Sequence, residues 1–529
     1  MTTAVGLAPL RIADPEVVTS PMFRILGRKS RWVYPDPRLT PEHCEILNNV
    51  NISEAGIAQA RFGTAKYSDT ILAGGEIATG LFTATFASGT THNIVTTADK
   101  FYTDDGTTRT DKTGSAFTGT NDQRFQFGFI KDKVIINNKK DMARYFDGSN
   151  NTADITDTRS GFTIPFTKAE GFFTHKNLLI FYGTTEGGTY RPTRLRWCDV
   201  NRETFEIDIF TWHSRNRYEI YDGSPKIIGA VDAWGYALIF KADGMYPGQI
   251  VYGETGHLDF RLHEQGVQRG FSPISTLGIL ARPEFVVCVA KEGIAVFDRD
   301  LNFRIVNNDD LKFWLELNKG RYEHIQCWVR EKDHQVRFLC STPGNTAGHN
   351  RILVWDWDTD DIWTDVPVKT LNYGASVQVS DEELDWLGGV DGYVYKGNSS
   401  DYTTDDGTGY TWRIKMSPND LGLPNKHKKV LNVTTFYRKR EGNQNVTFSA
   451  FLDEGRIPRG ASDPLVTGVA QTWNSDEIWN SAGNVWPGHE SRRADFFINR
   501  VCETIAPEWT SADPASIYGY QVEYIPLEN

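Results

Sequence analysis

The segment Phe125-Gln-Phe-Gly-Phe-Ile130 is followed by a turn at Lys131-Asp-Lys133 and by a second β-rich run, Val134-Ile-Ile-Asn-Asn138. A third short run, Ala143-Arg-Tyr-Phe-Asp-Gly148, closes the unit. β-Branched and aromatic residues fill these runs, and Gly, Asn and Asp interrupt them, which is typical of short antiparallel strands joined by tight turns. The stretch therefore predicts one small sheet of three or four strands.

Units with the same plan recur from about residue 70 to residue 400, with a period of roughly 40 to 50 residues. They lie at 77–106, 125–148, 172–199, 227–240, 283–306, 324–358 and 384–397. A single small sheet cannot bury both of its faces, so the units must stack around an axis, as the blades of a propeller do. The repeats vary in length and carry no strict motif. We therefore expect an all-β chain with an irregular β-propeller of six or seven blades.

The segments on either side of these units differ from them in composition and in the length of their predicted strands. Residues 1–44 contain Pro at positions 9, 15, 21, 35, 37 and 41 and predict an extended N-terminal arm. Residues 45–400 are assigned to the propeller, and a polar loop at 401–409 marks its end. Longer strand patterns follow within 401–529, and a long loop, 453–493, interrupts them. We therefore predict a second β domain of sandwich type in this segment.

The overall charge and the cysteines constrain the environment of the protein. The net charge is -12, so the surface as a whole should repel nucleic acid. Six cysteines occur without a CxxC motif, which favours free thiols and a reducing compartment. There is no signal-peptide pattern and no apolar run long enough to span a membrane, so we expect a soluble protein made in a cytoplasm.

Two sequence segments partly match catalytic or metal-binding motifs. The residues Thr403, Asp405, Gly407 and Tyr410 loosely match a sialidase Asp box, but a single copy favours an ordinary polar turn. The run Asp356-Trp-Asp-Thr-Asp360 opens like a calcium loop yet lacks the Gly and Glu that such a loop needs, so a hairpin is favoured. Neither a nucleophile motif nor a phosphate-binding glycine loop occurs. We expect a non-enzymatic protein without metal or cofactor.

Three groups of residues are candidates for contact with partners. Two are basic and could face an acidic partner or DNA phosphates, although a solvated surface is equally compatible: Arg24, Arg28, Lys29 and Arg31 in the arm, and Lys426, Lys428, Lys429, Arg438, Lys439 and Arg440. The third group could anchor a protein interface or, less often, stack on sugar rings: Trp473, Trp479 and Trp486.

Several phrases resemble, in order along the chain, the packaged-DNA stabilisation and tail nozzle β-propeller proteins of short-tailed bacteriophages (podovirus tail tubular protein B-like). They begin with Asn48-Asn-Val-Asn-Ile-Ser-Glu-Ala-Gly-Ile-Ala-Gln-Ala-Arg-Phe-Gly63 and Asp132-Lys-Val-Ile-Ile-Asn137 followed by Tyr145-Phe-Asp-Gly148. Further phrases are Gly266-Val-Gln-Arg-Gly-Phe-Ser-Pro-Ile274, Gly293-Ile-Ala-Val-Phe297 and the Lys428-Lys429 pair before a long strand.

The resemblance implies a structural virion protein, assembled in the host bacterial cytoplasm as a homohexameric ring. Such a ring docks on the head-tail adaptor ring below the portal, carries tail fibres or spikes, retains the packaged double-stranded DNA and forms the channel for its ejection. The acidic chain fits a channel wall along which a polyanion slides. Two alternatives stay open: a host-glycan-binding propeller adhesin of the tail, and a glycan-degrading propeller enzyme.

Overall fold

The chain is almost entirely β in the computed structural model, and the fold is described from a defined set of residues. These are residues 17–28, 42–52, 57–159, 162–200, 206–221, 226–252, 258–306, 314, 316–379, 382–397, 399, 401–424, 426–439, 446–453, 491–512 and 515–527. No helix within these ranges is long and apolar enough to cross a membrane.

The strands are short in the first four-fifths of the chain and longer towards its end. The chain starts with β1 (Val18–Thr19), β2 (Leu26–Arg28), β3 (His43–Asn48), β4 (Val50–Ile52) and β5 (Ala58–Ala60). The middle comprises β6 (Thr64–Lys66), β7 (Gly80–Thr85), β8 (Thr91–Thr96), β9 (Phe101–Asp104), β10 (Arg109–Asp111), β11 (Gln126–Ile130), β12 (Lys133–Asn137), β13 (Arg144–Phe146), β14 (Ala153–Asp154), β15 (Lys168–His175), β16 (Leu178–Glu186), β17 (Thr189–Trp197), β18 (Asp199–Val200), β19 (Ile207–Asp208), β20 (Arg217–Glu219), β21 (Ile227–Ala233), β22 (Tyr236–Lys241), β23 (Gly244–Tyr252), β24 (Leu258–Leu262), β25 (Gln268–Arg269), β26 (Ile279–Ala281), β27 (Val286–Ala290), β28 (Gly293–Phe297), β29 (Phe303–Ile305), β30 (Gln326–Arg330), β31 (Gln335–Cys340), β32 (Arg351–Asp356), β33 (Ile362–Asp365), β34 (Leu371–Val379), β35 (Glu382–Gly389) and β36 (Val394–Gly397). The last strands are β37 (Trp412–Met416), β38 (Lys428–Lys439), β39 (Thr447–Leu452), β40 (Ser491–Cys502), β41 (Ile505–Ser511) and β42 (Ala515–Pro526), and short 3-10 helices cover Ala73–Gly75, Glu264–Gly266 and Lys319–His324.

The chain divides into two compact units, which differ from the predicted domains in their boundaries. One unit is Arg61–Tyr410, and the other combines Met1–Ala60 with Thr411–Asn529. The predicted propeller boundaries were 45 and 400. Residues 43–60 belong to the second unit because β3 pairs with β37 and β5 pairs with β42. The hydrophobic pattern of these strands does not reveal a partner so distant along the chain.

The unit Arg61–Tyr410 is a seven-bladed propeller in its described residues, which confirms the predicted fold. Each blade is an antiparallel sheet with four consecutive strands: β7–β10, β11–β14, β15–β17 with β20, β21–β24, β26–β29, β30–β33, and β34–β36 with β6. In the sheet of β21–β24, the short strand β25 also pairs with β23. The first strand of each blade contacts the first strand of the next, and β34 contacts β7, so the ring is closed. The blades are numbered 1 to 7 in this order.

The ring closes through a strand from the start of the unit. In blade 7, β6 pairs with β36, with Lys66 opposite Tyr395 and Thr64 opposite Gly397. The outermost strand of the last blade therefore comes from the beginning of the propeller sequence. Opening the ring requires these pairs to separate, so closure joins the two ends of the unit.

Local turn chemistry explains why the strands fold back as tight hairpins. Lys131 and Asp132 both adopt positive φ, at 49° and 57°, and join β11 to β12. Positive φ at both central residues matches the twist of the paired strands. Asp132 also accepts a hydrogen bond from the backbone N–H of Ala87, at 2.7 Å, and so connects blades 1 and 2.

The hydrophobic core lies between neighbouring blades. Leu238 and Phe240 of blade 4 pack with Val286, Cys288 and Phe297 of blade 5, and the Phe240 and Phe297 rings are 5.7 Å apart. Similar clusters connect blades 5 and 6, and blades 7 and 1. Burial of these faces is the main source of stability, since the hydrophobic effect contributes about 25 cal/mol per Å² of apolar area buried. Each blade is thus stabilised by packing against its neighbours around the ring.

The second unit is a β-sandwich, as predicted for the C-terminal segment. One sheet has the order β4-β5-β42-β38-β40 with β1 beside β42, and the other contains β3-β37-β41-β39 with β2 beside β3. The Phe448 and Phe496 rings stack at 4.1 Å, and the indole N–H of Trp509 donates to the Thr435 hydroxyl at 3.0 Å. The described part of the arm is extended and pairs with these sheets.

Candidate functional site

The Asp-box match at 403–410 forms a turn, and its aspartate, Asp405, binds Arg61 where the two ends of the propeller unit meet. Asp405 is fully buried, and its two carboxylate oxygens accept hydrogen bonds from Nη1 and Nη2 of Arg61 at 2.9 and 2.6 Å. Burial opposes the charge on Arg61, but the hydrogen bond and the charge of Asp405 raise its pKa. The backbone N–H of Val368 also donates to Asp405, at 3.0 Å. The carboxylate is therefore used internally.

The run 356–360 forms the hairpin turn that the sequence favoured over a calcium loop. The Asp356 carboxylate accepts from the backbone N–H groups of Asp358 and Thr359 at 3.0 and 3.1 Å. The Asp360 carboxylate accepts from the Trp355 indole at 2.9 Å and pairs with Arg304. Among the described residues, no group of three His, Cys, Asp or Glu side chains is placed to hold a metal ion.

A cavity of about 390 Å³ lies at the axis of the propeller, between the first strands of the blades. Aromatic side chains fill much of its wall, and the Phe82 and Phe127 rings stack at 5.5 Å. The Gln126 amide is engaged with the backbone of Phe172, donating to the carbonyl at 2.7 Å and accepting from the N–H at 3.1 Å. Such a small, aromatic space cannot accommodate a DNA duplex, so any DNA channel would have to lie outside the propeller axis.

One acid–imidazole pair borders the same cavity. His175 Nδ1 lies 3.0 Å from Asp232 Oδ1 and connects blades 3 and 4. The His175 ring is fully buried, and its Nε2 has no hydrogen-bond partner among the described residues. A general base must present its free nitrogen to a substrate. This pair is therefore best understood as a contact between blades.

The predicted basic stretch on β38 is only partly available to a partner. Lys426 is exposed and Lys429 is half-buried. Lys428 is 1% exposed, donates to the Glu503 carbonyl at 2.6 Å and has a pKa lowered by burial. The side chains of Arg438 and Lys439, and all of Arg440, lie outside the described residues.

The other predicted contact residues are mostly outside the described part of the chain. Arg24 is exposed, and its backbone N–H donates to the Glu42 carboxylate at 3.2 Å. Arg28 lies in β2 without a described side chain, and Lys29 and Arg31 fall outside the described ranges. The same holds for Trp473, Trp479 and Trp486.

The structure reveals an exposed apolar surface that the sequence analysis missed, on β40. This strand is the last in its sheet among the described strands, and it carries Phe497 and Val501, which are 74% and 53% exposed. A β-bulge changes the register between Phe497 and Arg500, where Asn499 adopts a positive φ of 49°. Bulges in edge strands redirect side chains. Phe496 points into the sandwich, whereas Phe497 faces solvent.

Basic side chains lie beside this apolar surface. Val501 is opposite Lys429 in the register of β38 and β40, and Arg500 is exposed next to it. We call Phe497, Arg500, Val501 and Lys429 the β40 surface. An exposed edge strand with apolar side chains is a ready contact for another chain. Adjacent Phe496 and Phe497 gave no alternating signal, because an apolar residue lies on each face of the strand.

The fold defines the class of the protein: a seven-bladed β-propeller whose chain ends build a separate β-sandwich. No protein-family model matches the chain, and no curated protein does. Among solved structures, the chain is similar to the Pan2 WD40 domain of Neurospora crassa, with 11% sequence identity and a TM-score of 0.39. That similarity covers 66% of this chain and 98% of the WD40 chain.

Proposed function

We propose that the chain is a structural, non-enzymatic subunit of the tail nozzle of a short-tailed bacteriophage. In this role, six copies form a ring that docks on the head-tail adaptor below the portal and carries fibres or spikes. The ring retains the packaged DNA in the virion and conducts it during ejection. Because the propeller axis is too narrow, the DNA passes through the lumen between the subunits.

The β40 surface is the observation that carries this proposal furthest. An exposed Phe497 loses apolar contact with water when it is buried against another chain, which favours association. Lys429 and Arg500 beside it favour an acidic neighbour, and the chain as a whole is acidic, with a net charge of -12. A second copy of the chain therefore offers both the apolar and the charged complement.

The ordered resemblance of the sequence adds support from a different direction. Its phrases fall on regular elements of both units, such as the hairpin from Asp132 into β12, the strand β13 and the long strand β38. Matching sequence segments that lie on turns and strand starts reflect the residue types that the backbone of this fold requires there. Their order along the chain is what favours the nozzle over an unrelated propeller.

The mass of the purified protein, measured by light scattering, tests the proposal. We expect a hexamer. Phe497→Glu should dissociate it, because a charge would replace the aromatic ring that the hexamer interface buries. Phe162→Glu is the matched control, since Phe162 is also exposed, at 57%, but lies in the propeller. A wild-type protein that stays monomeric at high concentration and fails to restore DNA retention to particles lacking it would refute the nozzle.

Charge reversal tests contact with the adaptor. Lys426→Glu with Lys429→Glu should weaken binding to the adaptor ring while leaving the fold intact, because neither side chain is fully buried. Lys428 is excluded from this test since its reversal would bury an unpaired carboxylate. Unchanged adaptor binding in the double variant would show that this stretch is an ordinary solvated surface.

A further inference from the structure

Four basic side chains gather on the face of the propeller where the first strands of the blades begin. Arg124 precedes β11, Arg321 and His324 lie in the 3-10 helix Lys319–His324 before β30, and His349 precedes β32. Arg124 is 5% exposed, Arg321 8% and His349 0%. We call these four residues the basic cluster.

The members of the basic cluster repel one another. Burial and the charge of Arg321 lower the pKa of Arg124 to about 10. Burial, then Arg124 and Arg321, lower the pKa of His324 to about 4, and the same causes hold the pKa of His349 well below its ordinary value. The hydrogen bonds place the segments that carry these groups side by side. Arg124 and Gln326 both donate to the Asn372 carbonyl at 3.0 Å, and Arg321 donates to the Thr346 carbonyl, three residues before His349, at 2.7 Å.

The two arginines are hydrogen-bonded only to neutral acceptors in the described part of the structure. Arg124 donates to the Asn121 and Asn372 carbonyls and to the Asn372 side-chain oxygen, with 3.0 Å between Nε and the Asn372 carbonyl. Arg321 donates from Nη1 to the Thr346 carbonyl at 2.7 Å. Its Nε and Nη2 are buried and have no partner there.

Acidic groups nearby do not neutralise the cluster. Glu323 lies 3.8 Å from His324 and has a side chain that is 73% exposed. Asp122 is exposed and acts on Arg124, Arg321 and His324 only through its charge. Water screens exposed carboxylates strongly. Among the residues that the structure describes, the two buried guanidinium groups therefore have no buried counter-charge, although buried charges in proteins are normally paired.

We propose that the basic cluster is a binding site for a small tetrahedral oxyanion of the phosphate class. The unpartnered Nε and Nη2 of Arg321 form the two-pronged donor that matches an oxyanion. Arg124 supplies a second positive charge, and the imidazoles of His324 and His349, which are neutral near pH 7 because their pKa values are lowered, can supply N–H donors. Bound anion removes the repulsion and satisfies the free donors, so it stabilises the propeller. This site is independent of the proposed tail function.

Thermal unfolding of the full-length protein with inorganic phosphate tests the proposal, with chloride at equal ionic strength as the reference. We expect the melting temperature to rise with phosphate concentration, more than with acetate. Arg321→Met should weaken phosphate affinity about tenfold or more, because a charged hydrogen bond is lost. Without phosphate, the same variant should be as stable as the wild type or more stable, because it removes an uncompensated charge.

Arg282→Met is the matched control. Arg282 is also largely buried, and its Nε makes no hydrogen bond among the described residues, but it is ion-paired with the carboxylates of Glu284, at 3.4 Å from Nε, and Glu331. This variant should lose stability and keep the phosphate response. The proposal is overturned if the wild type shows no response to phosphate, or if Arg321→Met keeps that response. Competition by a short DNA duplex would also overturn it, since a duplex cannot reach a side chain this buried.

Discussion

Two groups of buried arginines in the same propeller have opposite surroundings. At the ring closure, Arg61 binds Asp405 through both nitrogens, and Arg337 Nη1 lies 2.7 Å from Asp385 Oδ2 and 3.2 Å from Asp365 Oδ2. In the basic cluster, Arg124 and Arg321 meet carbonyl and amide oxygens. Burial of an arginine therefore does not by itself indicate its role. The charge of its partner does.

The two groups therefore predict opposite effects of removing a charge. A buried carboxylate that loses its guanidinium is left charged in a medium that solvates it poorly. A cluster of like charges that loses one member is relieved of repulsion. Replacing arginine by methionine keeps most of the side-chain volume and removes the charge, so the same substitution separates the two cases.

Arg61→Met should have the largest effect on stability. Asp405 is fully buried, and of its described side-chain hydrogen bonds it would keep those with Thr64 and the backbone of Val368. We expect the free energy of unfolding to fall by roughly 3–5 kcal/mol. Denaturant unfolding followed by tryptophan fluorescence measures this loss. A fall below 1 kcal/mol would show that the ion pair is not needed for closure.

The sequence predicted the propeller because each blade carries its own strands and turns. Hairpins such as β11–β12 are local, so their turn residues and alternation can be read directly. Ring closure could not be predicted in this way. Thr64–Lys66 is a three-residue strand whose partner lies over 300 residues away, and Asp405 was assigned to a polar turn at the domain boundary.

The candidate surfaces were predicted less well, for a related reason. A run of lysines indicates charge but not the direction of each side chain. Lys428 begins β38 with its side chain buried, whereas Lys429, the next residue of the strand, is half-buried, and Lys426, which precedes the strand, is exposed. The basic cluster combines residues from separate loops, 124, 321–324 and 349, that contribute no common motif. Only the closed ring brings them together.

The pH dependence of stability should show an effect of intermediate size at His324 of the basic cluster. His324 has an ordinary pKa near 6.5 when unfolded and about 4 when folded, so the unfolded chain binds more protons between these values. The free energy of unfolding should therefore fall as the pH decreases from about 6.5 to 4. Arg124 and Arg321 lower the pKa of His324 through their positive charge, and Glu323 and Asp122 oppose this effect. The same two arginines and burial also lower the pKa of the neighbouring His349.

Urea unfolding at several pH values, in wild type and His324→Gln, isolates this contribution. Carboxylates elsewhere also titrate in the lower half of the window, so the difference between the two proteins is the informative quantity. The loss of stability should be smaller in the variant. Phosphate should reduce the loss in the wild type as well, since a bound anion favours the protonated imidazole. Superimposable profiles would contradict an uncompensated charge at this position.

Arg304→Met should have the smallest effect, although its ion pair has the same geometry as that of Arg61. Nη1 and Nη2 of Arg304 donate to the two oxygens of Asp360, both at 2.8 Å. About half of each side chain is exposed, so water solvates both charges when the pair is broken. We expect a loss of about 0–1 kcal/mol, which decreases further with added salt. A loss equal to that of Arg61→Met would mean that the two-pronged geometry, and not burial, determines how strongly these pairs stabilise the propeller.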